Sequence, residues 1–513
     1  MRKVFLALIA FMLMALTAHV SAQTSTANKP VVDSAALLLT TRHRVDTLTL
    51  AIQKTQDKQK LLKLYVKRGL GEGILGHADS AIYDYCAAIA INPNLPDIYV
   101  YRSEQLQRIS KYVYAVGDLR MAITLLPNNP ARASNLYTYI SYLYRAFRNF
   151  EEASKSDSAA IALNPNNGLA YISSGWTNLG SAKYQQAIEA FDAGIPLTRT
   201  ATPSAIAENL AARADAKRAL KKYKGAINDY SESLNINPGN KRVHWNRAAC
   251  YNNNGDYELA DAEYTKTIAY YIGDEVNLAE LYLDRARMEM AEHKYKAVLH
   301  DDSLLLTYGR KAVAYWGMAD ANSLMGNFEE SIRLYKQAMD FYDNSDGNKP
   351  ALASLNNNIA DGSYSLAKYD QVVHFATRAI GFNPQAPSPY LNRGRAYLRL
   401  GKTDKAMEDF KKVLVLDTAK AFAYAFALYY TGNADKAIQV MQNNAVSTTD
   451  PALLITHYYN LACLFSLMNK PDEGNGYLKK CIDLGYSKRY AQLDPDLENI
   501  RNTPDFKAMM TTK

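Results

Sequence analysis

The sequence is poor in cysteine and tryptophan and has no block of like charge. Its 513 residues include four cysteines and three tryptophans, and its 59 basic and 51 acidic residues are interspersed, for a formal net charge of +8. Without a basic block, we expect no nucleic-acid partner. An even number of cysteines allows disulfides in an exported protein. Cys86, Cys250, Cys463 and Cys481 all fall in predicted helices, however, where they suit small packing residues, so we expect unpaired thiols.

Catalytic motifs are also missing: we find no serine elbow, zinc-peptidase helix or phosphate loop. Gly71, Gly73 and Gly76 have the spacing of a dinucleotide-binding loop, but that loop works only between a strand and a helix, and here it lies in a predicted helical hairpin. Asp301 and Asp302 resemble a metal or acid–base pair. Adjacent helical residues point about 100° apart, so we expect a solvated face instead. The sequence predicts no enzyme, no cofactor and no metal site.

One long apolar run is present, at the amino terminus. Arg2 and Lys3 precede the apolar residues 4–16, and small residues end at Ala22, directly before Gln23. This three-part pattern is typical of an export signal cleaved after Ala22. The apolar run is too short to favour a transmembrane helix, and no cysteine near the cleavage site could accept a lipid. We therefore expect a periplasmic or secreted protein whose mature chain has no transmembrane segment.

The clearest element further along the chain is residues 389–416. They predict two amphipathic helices joined by a tight turn at Gly401 and Lys402. Gly394 and Ala406 are small residues placed where the two helices would cross closely. A hairpin of this size cannot bury both of its apolar stripes alone, so it requires neighbours of the same kind.

Such neighbours are present, because the pair of small residues recurs twelve positions apart along most of the chain. The first members of the pairs are Gly69, Ser103, Ser141, Gly175, Ala214, Ala248, Ala286, Ala319, Ala360, Gly394, Ala425 and Ala462. Three positions before the second member, eight consecutive copies have an aromatic residue: Tyr112, Phe150, Tyr184, Tyr223, Tyr257, Tyr295, Phe328 and Tyr369. Phe and Tyr are about one residue in ten of this chain, so chance is a poor explanation.

This pattern resembles the tetratricopeptide repeat over about residues 61–485. The small, aromatic and proline positions of that repeat are all present, the proline in Asn92-Pro93, Asn164-Pro165, Asn237-Pro238 and Asn383-Pro384. The resemblance implies an all-α fold, a right-handed α-solenoid of about twelve helical hairpins with a C-terminal helical cap. We divide the chain into a signal peptide at 1–22, a linker at 23–45, an array in two parts at 46–345 and 346–485, and capping helices at 486–513. Within the first part, residues 46–60 predict an extra helix. In the cap, Leu497, Ile500 and Phe506 are predicted to pack onto the last hairpin.

The resemblance also implies that the first helices of the hairpins line a concave groove that takes up a partner protein or peptide. Trp176, Trp245 and Trp316 occupy groove positions, as judged from their spacing to the first small residue. The charged residues predicted in the same lining are Arg218, Arg242, Arg287, Asp320, Asp361, Arg395 and Arg399, together with Asp215. Aromatic and arginine side chains dominate binding hot spots. The alternative is that each tryptophan packs against an adjacent repeat.

Two functions remain open from the sequence. The first is a non-catalytic adaptor or scaffold of the cell envelope that binds a partner protein or peptide in the groove. The second is an envelope component that binds a solute or glycan, since the 38 tyrosines would suit stacking on sugars. Most of these tyrosines fall at predicted packing positions, however. A pull-down from an envelope fraction, compared with a glycan-binding screen, would separate the two functions.

Overall fold

The computed structural model describes residues 34–198 and 201–511, and these residues form α-helices, one short 3-10 helix and no β-strand. The chain divides into two compact units, with the boundary between Gly255 and Asp256. The helices of unit 1 are α1 Ser34–Gln53, α2 Lys58–Ile74, α3 Ala78–Ile91, α4 Pro96–Arg108, α5 Tyr112–Thr124, α6 Pro130–Ala146, α7 Phe150–Leu163, α8 Gly168–Gly180, α9 Tyr184–Leu197, α10 Pro203–Ala219, α11 Tyr223–Ile236 and α12 Lys241–Asn254.

Unit 2 continues the same alternation of first and second helices. Its helices are α13 Tyr257–Tyr270, α14 Glu275–Ala291, α15 Tyr295–Thr307, α16 Lys311–Leu324, α17 Phe328–Met339, α18 Lys349–Ser365, α19 Tyr369–Phe382, α20 Pro387–Arg399, α21 Thr403–Leu416, α22 Phe422–Tyr430, α23 Ala434–Ser447, α24 Pro451–Leu467, α25 Pro471–Asp483, α26 Lys488–Leu493 and α27 Pro504–Thr511, with the 3-10 helix Pro495–Leu497 between the last two. Within each unit, extensive contacts among the helices of the array join helices next or next but one in the chain. The predicted all-α array of helical hairpins is confirmed.

A left-handed backbone residue ends the first helix of every repeat and fixes the register of the array. It stands seven positions after the first small residue in all twelve repeats, with φ between +54° and +86°: Gly76, Ser110, Arg148, Ala182, Lys221, Gly255, His293, Gly326, Ala367, Gly401, Gly432 and Asn469. Glycine adopts this conformation freely, whereas other residues pay roughly 1–2 kcal/mol for it. The turn predicted at Gly401 is confirmed, and the two last repeats, whose sequence pattern is weakest, have the same turn as the others.

The small residues lie where a first helix crosses its second helix closely, as predicted. An added Cβ on Gly175 would be 2.7 Å from the ring of Phe191, and one on Gly394 would be 2.7 Å from the ring of Phe410. In both repeats the ring belongs to the residue sixteen positions after the glycine. Ala187 and Ala406, the second members of these two pairs, have no exposed surface. The eight predicted aromatic residues each begin the second helix of their repeat.

Arginine–aspartate pairs with a buried aspartate connect the two helices of five repeats, and they were not predicted from the sequence. The arginine directly precedes the first small residue, and the aspartate lies sixteen positions further along. Two of the three guanidinium nitrogens, Nε and Nη2, donate to the two carboxylate oxygens, at 2.6–2.9 Å. The pairs are Arg68–Asp84, Arg102–Asp118, Arg213–Asp229, Arg285–Asp301 and Arg393–Asp409. Paired donors of this kind fix geometry as well as energy, so they hold the two helices in register.

The solvated face predicted for Asp301 and Asp302 is wrong, because both side chains are buried, at 1% and 2% exposure. Asp301 pairs with Arg285, as above. Asp302 stands sixteen positions after the first small residue, where other repeats place Phe191 or Phe410. Its Oδ2 atom fills the space that a Cβ on Gly317 would take, and no described residue hydrogen-bonds to it. A carboxyl group therefore replaces an aromatic ring in the core of this repeat.

Some boundaries differ from those predicted. Helix α1 begins at Ser34, so the second part of the predicted linker 23–45 is helical, and the helix predicted over 46–60 is interrupted before Asp57. The side chain of Asp57 accepts hydrogen bonds from the backbone of Gln59 and Lys60 and so starts a new helix, α2. The units meet at Gly255, whereas the sequence divided the array after residue 345. The predicted signal peptide lies outside the described residues.

Three of the four cysteines are buried, and Cys86 is exposed; all four are unpaired in the structure. Among residues 34–198 and 201–511, no helix combines the length and the hydropathy needed to span a lipid bilayer. Within the same residues, no three His, Cys, Asp or Glu side chains are grouped so that they could hold a metal ion.

Candidate partner-binding face

The residue directly after the first small residue, which we call the face position, lies on the first helix of each repeat. In unit 1 the face positions are Leu70, Glu104, Tyr142, Trp176, Asp215 and Ala249, and in unit 2 they are Arg287, Asp320, Asp361, Arg395, Phe426 and Cys463. Hydrogen bonds at or near these positions connect the first helices of successive repeats. Trp176 on α8 donates to Asn209 on α10 at 3.1 Å, and Asn246 on α12 donates to Asp215 on α10 at 3.0 Å. Further bonds join α4 to α2, α6 to α4 and α6 to α8. The first helices of unit 1 therefore form a continuous surface, which we call the first-helix face.

The three tryptophans are half-buried, and they belong to different units. Trp176 and Trp245 lie in unit 1, and Trp316 lies in unit 2. The indole of Trp176 packs edge-on against Phe191, with ring centroids 5.9 Å apart, and Trp316 packs edge-on against Tyr342 at 6.4 Å. Each of these two side chains therefore combines packing on its own repeat with a partly accessible ring. The single wall predicted for all three tryptophans stays a prediction.

In unit 1, the predicted charged residues are arranged around Asp215. This carboxylate accepts hydrogen bonds from Tyr230 at 2.5 Å, from Asn246 at 3.0 Å and from Arg242 at 2.8 Å. Arg218 is exposed one turn further along α10. Burial tends to lower the pKa of Arg218, but Tyr230 and Asp215 outweigh that effect and raise it. Asp215 thus holds Arg242 at the first-helix face, and Arg218 interacts with Tyr230 beside it.

In unit 2, Arg287 and Asp320 differ in accessibility. Arg287 is exposed and lies 3.6 Å from Asp284 on the same helix. Asp320 is half-buried and accepts a hydrogen bond from Tyr335 at 2.6 Å. Burial raises the pKa of Asp320 to about 6, and the hydrogen bonds from Tyr335 and Trp316 oppose this rise.

The remaining predicted residues, Asp361, Arg395 and Arg399, contact the chain's own C-terminal segment, which we define as residues 487–498. Arg395 forms an ion pair with Asp496 and is only 10% exposed. Arg399 lies 3.3 Å from Glu498 and also donates to the carbonyl of Pro495. These three residues were predicted for a partner, but in this structure the C-terminal segment occupies them.

The C-terminal segment reaches several repeats of unit 2. Tyr490 donates to Asp361 at 3.2 Å and packs edge-on against Phe328, 5.1 Å between ring centroids. Burial raises the pKa of Asp361, and the nearby Arg395 lowers it less. A cavity of about 240 Å³ remains beside the segment, lined by Tyr364, Arg399, Tyr430 and Asn499 among others.

The predicted cap on the last hairpin is also present. Leu497, Ile500 and Phe506 are 0–2% exposed and join the hydrophobic core formed by α20 to α25. The capping prediction is therefore confirmed for the last hairpin, but it missed the extension of the segment to α17, α18 and α20. Sequence reasoning also missed Glu104, a face position flanked by Tyr101 on its own helix and by Tyr139 on the next first helix. Its spacing to Ser103 was sufficient to find it.

Comparison with known proteins agrees with this geometry. The sequence model of the tetratricopeptide repeat matches residues 387–419. Human tetratricopeptide repeat protein 13 is 26% identical over 141 residues, which are 26% of this chain and 16% of the human protein. The Hsp70-Hsp90 organizing protein of Triticum aestivum is 22% identical over 312 residues, 60% of this chain and 51% of the wheat protein. This chain thus spans about half of the length of the wheat relative and less of the human one.

A solved structure of the C-terminal part of a TPR repeat-containing protein from Cytophaga hutchinsonii aligns with a TM-score of 0.38 and 14% identity, over 55% of this chain and 96% of that one. The matched repeat at 387–419, the twelve turns in register and the close helix crossings define a helical repeat protein. This chain is a tetratricopeptide-repeat protein. Proteins of this family generally mediate interactions between proteins.

Proposed function

We propose that this chain is a non-catalytic adaptor that binds an extended segment of a partner protein on the first-helix face of unit 1. The observation that carries the proposal comes from unit 2. There, the face positions Asp361 and Arg395 hold a peptide segment of the chain itself, through Tyr490 and Asp496. Face positions in this array are thus able to bind a peptide with aromatic and charged side chains.

Unit 1 offers face positions of the same chemistry. Tyr142 and Trp176 are half-buried, so part of each ring remains accessible, and Arg218 and Arg242 are exposed beside Asp215. Aromatic and arginine side chains combine a large contact area with polar groups, and they are enriched among residues that dominate binding energy. A peptide that crosses the first-helix face would bury Trp176 and pair with the arginines.

The proposal includes export to the cell envelope with cleavage after Ala22. It is supported by the basic residues Arg2 and Lys3, the apolar residues 4–16 and the small residues that end at Ala22. Mass spectrometry of the protein recovered from the envelope or the medium is expected to show a chain that begins at Gln23. A cytoplasmic protein that retains Met1 would contradict export and leave the binding face unaffected.

Site-specific photocrosslinking tests the binding face. A benzophenone amino acid replaces Trp176 on α8 in one variant and Lys224, an exposed residue of the second helix α11, in a control variant. We expect a discrete crosslinked partner at position 176 and none at 224. The partner identified by mass should then bind the Trp176→Ala protein about 30-fold more weakly, the loss typical of a hot spot of about 2 kcal/mol.

Two results would overturn the proposal. One is equal crosslinking at positions 176 and 224, which would indicate contact without a defined face. The other is an identified partner that binds wild type and Trp176→Ala with the same affinity while Asp361 or Arg395 is required.

A further inference from the structure

Four of the face positions hold carboxylates, and one of them differs from the other three in its partners. Asp215 accepts from Tyr230, Asn246 and Arg242, Asp320 accepts from Tyr335, and Asp361 accepts from Tyr490. The carboxylate of Glu104, on α4, accepts no hydrogen bond and forms no ion pair with any residue in the described part of the chain. Glu104 is half-buried, and a carboxylate there is costly to keep charged unless it takes up a proton or an external partner compensates it.

The missing partners have identifiable reasons in the sequence. Asp215 receives the hydroxyl of a tyrosine fifteen positions further on, but the corresponding residue for Glu104 is Leu119. The next repeat supplies Tyr139, at the same repeat position as Asn246, yet its hydroxyl donates to Gln107. Arg108 follows Glu104 by one helical turn, but its guanidinium donates to the carbonyl of Gly73 at 2.6 Å. Among the described residues, Glu104 therefore has no direct partner, and Arg108 acts on it only through its charge.

Two tyrosines lie next to this carboxylate. Tyr101 precedes Glu104 by three positions and so lies on the same face of α4, and Tyr139 on α6 reaches α4 at Gln107, three positions after Glu104. The charge of Glu104 also adds to the effect of burial in raising the pKa of Tyr85, Tyr101 and Tyr139. Tyr85 lies beneath, 1% exposed, with its ring centroid 6.0 Å from that of Tyr101. Tyr101 and Tyr139 are half-buried and thus partly accessible. Burial raises the pKa of Glu104 to about 7, and Arg108 lowers it only in part.

A carboxylate bordered by aromatic rings is the chemistry that recognises an organic cation. The carboxylate supplies the opposite charge, and the electron-rich faces of the rings attract an ammonium or guanidinium group. We propose that Glu104, Tyr101 and Tyr139 form a pocket for one lysine or arginine side chain of the partner's peptide. This inference rests on the proposed binding of a peptide to the first-helix face of unit 1, and it specifies which residue that peptide carries.

An array of short random peptides, probed with the labelled full chain, tests the inference. Three proteins are compared: wild type, Glu104→Gln, and the control Glu232→Gln. Glutamine keeps the shape of Glu104 and removes its charge. Glu232 is an exposed residue of the second helix α11, so its variant makes the same chemical change away from the first-helix face. Circular dichroism confirms that each variant is folded.

We expect the peptides bound by wild type and by Glu232→Gln to be enriched in lysine or arginine at one position. For the tightest basic peptide, Glu104→Gln should bind about tenfold more weakly, equivalent to about 1.4 kcal/mol. That peptide with glutamine in place of its basic residue should bind all three proteins alike.

The outcomes separate this inference from the proposed function. Peptides that bind wild type without a basic preference, or with one that Glu104→Gln retains, would overturn the cation pocket and leave the peptide-binding face standing. An array on which wild type binds no peptide would overturn both.

Discussion

The hydroxyl of Tyr364 donates a hydrogen bond to the carboxylate of Asp496, 2.9 Å away and 132 positions along the chain. The guanidinium of Arg395 lies over the same tyrosine ring, 3.9 Å from its centroid, and pairs with the same carboxylate. This group of three side chains joins the first helices α18 and α20 to the C-terminal segment. It is the means by which unit 2 keeps part of its own face covered.

Loss of the charge of Asp496 is expected to release the C-terminal segment. In Asp496→Asn, Arg395 would stay buried without its closest counter-charge, and breaking one side of a buried ion pair costs about 3–5 kcal/mol. Hydrogen exchange should show faster exchange across α26 and the 3-10 helix and no change in unit 1, because a defect in a repeat array affects mainly its neighbours.

The matched control for that variant is Glu498→Gln. Glu498 is 63% exposed and pairs with Arg399 at 3.3 Å, and exposed pairs contribute roughly 0–1 kcal/mol. Exchange in the C-terminal segment should therefore be close to that of wild type. Equal effects of the two variants would mean that the pair of Arg395 and Asp496 does not hold the segment.

Asp302 is expected to make unit 2 less stable as pH rises. Burial first, then the charges of Asp301, Asp320 and Glu289, raise its pKa from 3.8 to about 8. The folded state thus keeps a proton that the unfolded state has lost between these two values, so the free energy of unfolding falls across that interval. Asp302→Asn removes this proton uptake. The stability of Asp302→Asn relative to wild type should increase from about pH 4 to about pH 8.

Denaturant midpoints of the two proteins across that pH range check this expectation. Other groups that titrate in the same range, such as Glu289, contribute to both proteins and largely cancel in the difference. A difference between variant and wild type that is independent of pH would show that Asp302 does not hold its proton in the folded chain.

The left-handed turn residue of the fourth repeat offers a stabilising substitution. Ala182 has φ +59° and is exposed, and glycine takes this conformation without the cost that a Cβ imposes. Ala182→Gly should raise the stability of the protein by about 0.5–1 kcal/mol, the balance of relieved strain and added freedom in the unfolded chain.

Ala87→Gly is the control, since Ala87 lies in the middle of α3. There the same chemical change should destabilise by roughly 0.5–1 kcal/mol. Thermal unfolding of both variants gives the comparison. A fall in stability for Ala182→Gly as large as for Ala87→Gly would contradict the strained turn.

The fold was predictable from the sequence because each repeat must satisfy the same local requirements. Gly175 and Ala187 mark a close crossing, and residues such as Tyr184 mark the start of a second helix, wherever they recur. The pair of Arg213 and Asp229 was equally visible as a recurring spacing, but the sequence analysis did not use it. Asp302 was assigned to a solvated face because adjacent helical residues point apart, whereas its spacing to Ala286 indicates a core position.

The candidate site was less predictable, because spacing identifies which residues share a face but not what covers that face. Asp361 and Arg395 were correctly placed on first helices by their spacing to the small residues. Nothing local in the sequence indicates that Asp496, about a hundred positions later, returns to Arg395. Glu104 could be placed on the face from its spacing, but its lack of a hydrogen-bond partner could not be predicted. That lack follows from the structure, in which Tyr139 and Arg108 bond to other groups.

The central claim is that a partner peptide binds the first-helix face of unit 1 while the chain's own C-terminal segment occupies unit 2. Hydrogen exchange of the full chain, with and without the tightest peptide from the random array, tests it most directly. The account predicts slower exchange in α4, α6 and α8 on binding and no change in α18, α20 or α26. Slower exchange in α18 and α20 together with faster exchange in α26 would contradict it, because the peptide would then have displaced the C-terminal segment from unit 2.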